Sequence, residues 1–270
     1  MKIITFQGGL GNQMFQYQFY RWLQIQIDDK IYGYYPSKAL QSHNGLELEN
    51  CFFNVELPKS NIIIDFYAKF LKLLRKIKIA NKISKNDNFD IKKIIFEDYW
   101  LDLKYISTFR FEIKEELLKK NQKNIHTLEN IEKTNSISIH VRRSDYLSEK
   151  LSKIYAGICS EEYYQRAVDF MIGKNKNTVF YVFSDEIKWC ENTLNIPNAV
   201  FINWNKNTNN VADLYLMSRC KHNIIANSTF SWWAAFLNEN AEQMVIAPKR
   251  WFNEGSFEEP NIFPENWIRL

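Results

Sequence analysis

Residues 136–146 read SISIHVRRSDY, and 136–142 alternate polar with apolar side chains, the period of a half-buried strand. From here to residue 250, short β-branched runs alternate with helical patterns. SEEYYQRAVDFMIG (160–173) predicts a helix, with Ser160 as N-cap, Glu161 and Glu162 in its first turn and Gly173 as its stop. TVFYVFSD (178–185) is the next strand, EIKWCENTL (186–194) a short helix and AVFINW (199–204) a third strand. NVADLYLMSRC (210–220), HNIIA (222–226), STFSWWAAFLN (228–238) and QMVIAP (243–248) continue the alternation. Such regularity implies an α/β fold with a doubly wound parallel sheet and right-handed crossovers.

Upstream the pattern is looser, although it opens the same way, with strand KIITF (2–6), a glycine-rich turn, a helix from about Asn12 to Ile27 and a second strand IYGYY (31–35). The 125–135 stretch, IHTLENIEKTN, is polar and reads as the join between two domains, 1–130 and 131–270. The 69–82 stretch is amphipathic, with six basic residues and no acid. It reads as a packed helix with a solvated basic face, and peripheral docking on the inner membrane surface is the alternative.

The 270 residues exceed one usual core, and 46% hydrophobic content with 20 Phe, 14 Tyr and 8 Trp supplies apolar surface for two. A net charge of +4 is too mild to indicate a nucleic-acid partner. No apolar run is long enough to span a bilayer, and the N-terminus lacks signal-peptide order, so a cytoplasmic protein is expected. Cys51, Cys159, Cys190 and Cys220 lack metal-site spacing and read as packed thiols.

Ligands of open parallel sheets bind beyond the carboxyl ends of the strands. Here those ends are polar: His140 to Tyr146, then Ser184, Asp185 and Glu186, then Asn227, Ser228 and Thr229. Alternation puts His140 and Arg142 on one face of their strand and Val141 and Arg143 on the other, so the two arginines take different roles, with Arg142 the ligand candidate. An arginine fork binds a diphosphate bidentately, and the free N–H groups where Ser228 and Thr229 open a helix suit an anion. Phe230, Trp232 and Trp233 read as core-facing. At the N-terminus, QGGLGNQM (7–14) superficially resembles a dinucleotide fingerprint, but Met14 stands where a third small residue belongs. Asn12 and Gln13 either offer amides to a sugar or phosphate or belong to a plain tight turn. An NAD- or NADP-dependent oxidoreductase is the rival reading of this turn.

HVRRSDY, FSDE, the helix beginning at Asp213, ANSTFSWWAAFLN and GGLGNQMFQY together resemble the galactoside α-1,2-fucosyltransferase family, over about the first 20 residues and most of 136–250. The resemblance implies two Rossmann-like domains facing across a cleft (GT-B type), GDP-fucose as donor, a galactose-terminated glycan as acceptor and inversion at the anomeric carbon. It also implies that Arg142 holds the β-phosphate, with His140 beside the nucleoside, Ser184 and Asp185 near ribose or base and Asp213 near guanine. Asn227, Ser228, Thr229 and Phe230 surround the diphosphate, and Asn12 faces the sugar. Ser144 stands where the family usually has glycine, and Glu186 where it often has a second aspartate. Asp145 is the first choice for the proton acceptor and Glu149 the second, with no side chain at all as the third. No Asp-x-Asp occurs, so neither metal nor cofactor is expected.

Overall fold

The computed structural model describes residues 1–41, 43–76, 83–84 and 93–270. The chain divides into two compact units, Met1–Lys114 and Glu115–Leu270. In the first, β1 (Lys2–Thr5), α1 (Leu10–Gln26) and β2 (Ile31–Tyr34) form a parallel βαβ unit. Short helices α2 (Ser37–Gln41) and α3 (Leu48–Cys51) follow, then α4 (Ile62–Lys76), β3 (Ile83–Ser84) and β4 (Ile95–Phe96). The sheet is parallel throughout, in the order β2-β1-β4-β3. Its inner strand β1 is buried along its whole length, and α4 lays Ile64, Ala68 and Leu71 against Ile3, Tyr34 and Ile95.

The second unit starts with α5 (Glu116–Lys119), α6 (Gln122–Lys133) and β5 (Asn135–Val141). It continues with α7 (Glu149–Tyr155), α8 (Glu161–Lys174), β6 (Thr178–Ser184), α9 (Ile187–Thr193) and β7 (Ala199–Ile202). Then come α10 (Asn210–Arg219), β8 (His222–Ile224), α11 (Thr229–Phe236), β9 (Val245–Ala247) and β10 (Ile268–Arg269). The six strands are all parallel, in the order β10-β9-β8-β5-β6-β7. The chain winds outward from β5 to β7, returns through α10 to β8 and winds outward the other way. This is the Rossmann strand order, whose reversal between β5 and β8 opens a crevice at their carboxyl ends. Alternation along β5 places Ile137, Ile139 and Val141 in the core with Tyr163, Tyr164, Ala167, Val168 and Met171 of α8.

Several expectations shift. The division falls at 114/115 rather than near 130, because residues 122–133 form a helix rather than a joining segment. Asn121 caps it by accepting from Lys123 N–H (3.0 Å), and it buries Asn124, Thr127 and Ile131, one stripe that the polar composition conceals. Gly173 lies inside α8, which runs on to Lys174 with Asn175 as its C-cap. The amphipathic stretch begins at Ile62 rather than 69, and residues 77–82 of it lie outside the described residues. Strands β3, β4 and β10 have two residues each, too few for periodicity to register. Among the described residues, no helix is long and apolar enough to cross a membrane.

Candidate functional site

One face of β5 carries three polar side chains in a row, Ser136, Ser138 and His140, all buried. The first two are satisfied inside the protein: Ser136 Oγ accepts from Lys221 N–H (3.1 Å) and Ser138 Oγ from Asn223 Nδ2 (2.7 Å). His140, nearest the strand end, keeps Nδ1 without a hydrogen-bond partner among the described residues. Burial is the main cause that lowers its pKa to about 4; Asp185 opposes the shift and Arg142 adds to it, so the ring is neutral at neutral pH. Its partner across the crevice is the partly buried Phe230, with ring centres 5.7 Å apart. A buried polar atom left unpaired costs roughly 1–3 kcal/mol, and such atoms concentrate where a ligand supplies the missing bond.

Beyond the strand, Arg142 sets Nε 2.9 Å from Asp145 Oδ1 and Nη1 3.4 Å from Asp185 Oδ2. Oδ1 of Asp145 accepts no aligned hydrogen bond, so this contact is an ion pair off the donor direction. Asp185 also accepts from the backbone N–H of Arg143 (3.0 Å) and Ser144 (3.2 Å) and from Ser144 Oγ (2.6 Å), and thereby holds the loop that carries Arg142. Ser144 sits in the ordinary helical region, φ −53°, so this backbone does not require the family's usual glycine. Arg143 pairs with Glu186 (3.0 Å) and lies over the Trp189 ring at 4.3 Å. The two arginines therefore have separate partners, as strand alternation implied. Tyr146, stacked on Tyr155 at 4.6 Å, donates to Asn227 O (2.9 Å) and so ties this loop to the end of β8.

Across the switch point, Ser228 precedes α11 in extended conformation and makes no side-chain capping bond. Thr229 and Phe230 occupy the first turn, while Trp232 and Trp233 are wholly buried. Asn227 stands beside them, but its amide is occupied: it donates to Trp251 O (3.1 Å) and Tyr155 O (3.4 Å) and accepts from Cys159 Sγ (3.5 Å). Its side chain thus staples two loops. Ser184 Oγ likewise accepts from Glu186 N–H at 2.9 Å. A narrow hollow of about 40 Å³ lies among Arg142, Tyr146, Tyr155 and Asn227. A larger one, about 450 Å³, lies elsewhere along α6, between His126, Tyr181 and Trp204, and contains none of the expected site residues.

Asp213, in the first turn of α10, belongs to a chain of amides that sequence reasoning did not find. Asn205 Nδ2 donates to Asp213 Oδ1 (2.7 Å) and to Asn124 Oδ1 (2.8 Å), and Asn124 Oδ1 also accepts from Trp204 Nε1 (2.7 Å). Burial pushes the Asp213 carboxyl up to about 7, and the Asn205 bond partly offsets this. Nothing local marks Asn124, which lies about 80 residues from its partners. In the first unit, Gly8 takes φ +79°, and a Cβ there would meet Asn12 Nδ2 at 2.7 Å. Asn12 N–H donates to Gly9 O (3.0 Å). Gln13 donates to Gly8 O and Gly45 O, each at 2.8 Å, and accepts from Glu47 N–H at 2.9 Å, so its amide braces the turn. Glu149 opens α7 on the surface.

The pattern of glycosyl transferase family 11 matches residues 1–270. The chain belongs to that family. Two relatives from Escherichia coli align with this chain over nearly their whole length: an alpha-1,2-colitosyltransferase, 28% identical over 97% of this chain and 96% of its own, and the O-antigen biosynthesis glycosyltransferase WbnK, 30% identical over 97% and 98%. Galactoside alpha-(1,2)-fucosyltransferase 1 of Mus musculus is 32% identical over 37% of this chain and 27% of its own. The crystal structure of fucosyltransferase NodZ from Bradyrhizobium superposes with a TM-score of 0.50 at 11% identity, covering 87% of this chain and 92% of that one. Its likeness identifies the fold, a GT-B-type pair of Rossmann-like units. This family 11 chain is thus a hexosyltransferase, and the oxidoreductase reading of the N-terminal turn falls away.

Proposed function

We propose that this family 11 enzyme is a galactoside α-1,2-fucosyltransferase. It transfers L-fucose from GDP-β-L-fucose to the 2-hydroxyl of a terminal galactose, with inversion and without a metal. The observation that carries the donor half is the switch point of the second unit, where an unpartnered buried His140 Nδ1, the Arg142 fork and the start of α11, at which the Ser228 side chain makes no capping bond, converge on β5 and β8. Departure of GDP builds negative charge on the β-phosphate while positive charge builds on the sugar. Arg142 and the α11 N–H groups oppose the first without reorganising. Neutral His140 accepts or donates one bond at the nucleoside, and Asp213 takes guanine N1–H and N2–H.

The Arg142–Asp145 pair bears on the proton acceptor. A carboxylate paired with the arginine that holds the β-phosphate stands on the leaving-group side, whereas an inverting displacement brings the acceptor hydroxyl from the opposite side. We therefore assign Asp145 to bracing Arg142 and withdraw it as the base. The colitosyltransferase relative favours one second reading, transfer of colitose in place of fucose. The test is to offer GDP-fucose, GDP-colitose and GDP-mannose with a panel of galactose-ended acceptors and determine the product linkage. Transfer from either other donor with no turnover of GDP-fucose overturns the proposal.

A further inference from the structure

Among the described residues, helix α4 is apolar on two sides, one buried and one exposed. Ile64, Ala68 and Leu71 are buried on the sheet of the first unit. Ile62, Ile63, Phe66, Phe70 and Leu73 are exposed, Ile62 by 84% and Phe66 by 74%. At about 100° per residue these five fall within an arc of roughly 120°, and Lys69 lies inside the same arc. The other exposed large hydrophobics among the described residues, Ile25 and Val200 for example, occur singly. Scattered ones are ordinary, but a contiguous stripe marks a surface that meets a partner.

The charge pattern selects the partner. Within α4, residues 69–76 carry four basic side chains and no acid, and the single acid of the helix, Asp65, accepts from Ser60 Oγ at 3.2 Å. A second copy docked here would bring two like-charged clusters together, and lysine is depleted from protein interfaces. Anionic headgroups neutralise the cations while the aromatic and aliphatic side chains enter the acyl boundary. The 15 residues of α4 reach only about 22 Å, too short to span a bilayer, so the helix would lie in its plane.

We propose that the outer face of α4, centred on Phe66 and Phe70 and flanked by Lys69, docks the protein on an anionic lipid surface. This does not depend on the choice of donor sugar, because vesicle binding is read without turnover. Lys72 is excluded from the lipid contact, since it pairs with Glu97 at 2.6 Å and lies 4.8 Å over the Tyr34 ring.

The test uses the full chain and co-sedimentation with vesicles of phosphatidylcholine and phosphatidylglycerol in equal parts, against phosphatidylcholine alone. Binding is expected only to the anionic vesicles and should weaken as salt rises. Phe66→Ser with Phe70→Ser should reduce it by about tenfold or more, Lys69→Glu should reduce it less, and Ile172→Ser, at an isolated exposed position, should leave it unchanged. All these positions are on the surface, so folding is expected to persist and circular dichroism verifies it. No binding by the native chain overturns the proposal, as does undiminished binding by the double variant. A native dimer that the double variant splits, with no vesicle binding, also overturns it and makes the face a self-association surface.

Discussion

The turns after β1 and after β5 hold equivalent places in two parallel sheets, each following the strand from which its unit starts to wind. They differ in how far their polar groups are satisfied within the fold. After β1, Gln13 and Gln16 are fully buried and bond internally: Gln13 to Gly8, Gly45 and Glu47, and Gln16 to Gln7 N–H (3.0 Å) and Asp98 O (3.2 Å). After β5, His140 Nδ1 lacks a partner and Ser228 leaves α11 without a side-chain cap. Each turn also has a buried side-chain atom without a hydrogen-bond partner among the described residues, Thr5 Oγ1 at the end of β1 and His140 Nδ1 near the end of β5, and the second turn adds the Arg142 fork beside it. Buried polar groups that complete one another hold a fold together, whereas those left incomplete are available to a ligand.

Substitutions at the two turns should therefore separate activity from stability. Arg142→Lys keeps the charge and loses the fork, removing about 3 kcal/mol of transition-state stabilisation and slowing turnover by roughly two to three orders of magnitude. Arg143→Lys, which touches Glu186 and Trp189, should be much milder. If steady-state rates come out in the reverse order, the two strand faces have been assigned wrongly. Gln13→Leu should act the other way. It leaves two carbonyls and one N–H of the turn unpaired, at about 3 kcal/mol of stability in denaturant unfolding, while the folded fraction keeps its GDP affinity. A normal unfolding midpoint would sink the bracing role.

Asp213 combines both behaviours. Guanine needs the ionised carboxylate, and the folded pKa is raised to about 7, so GDP affinity should fall as pH drops through that value and level off above it. Because the shift is upward, the group favours folding below its unfolded pKa, and that contribution is lost as pH rises through about 7. Asp213→Asn should accordingly weaken GDP binding in calorimetry yet raise Tm above neutral pH, and a lowered Tm there would contradict the sign. Gly8→Ala meets positive φ and the Asn12 amide and should cost about 1–2 kcal/mol, read in thermal unfolding. The smallest expected effect is that of EDTA. If Arg142 and the α11 N-terminus serve the leaving diphosphate, chelation leaves the rate nearly unchanged, and a loss restored by manganese would break that assignment.

The sequence by itself determined β5, β6, α8 and α11 of the second unit almost to their ends, because these elements are long enough for periodicity and caps to register. It also separated Arg142 from Arg143, since alternation along a strand is local geometry. Tertiary structure alone decided which polar residues are free. Asn227 and Gln13 looked as available as His140, and only partners up to 72 residues away from Asn227 and 34 from Gln13 occupy them. The Asn124–Asn205–Asp213 chain, the helix hidden in a polar stretch at 122–133 and the uncovered face of α4 were illegible for the same reason. Hydrogen-bond satisfaction and burial are properties of pairs brought together by the fold, and a residue's own identity does not carry its partner.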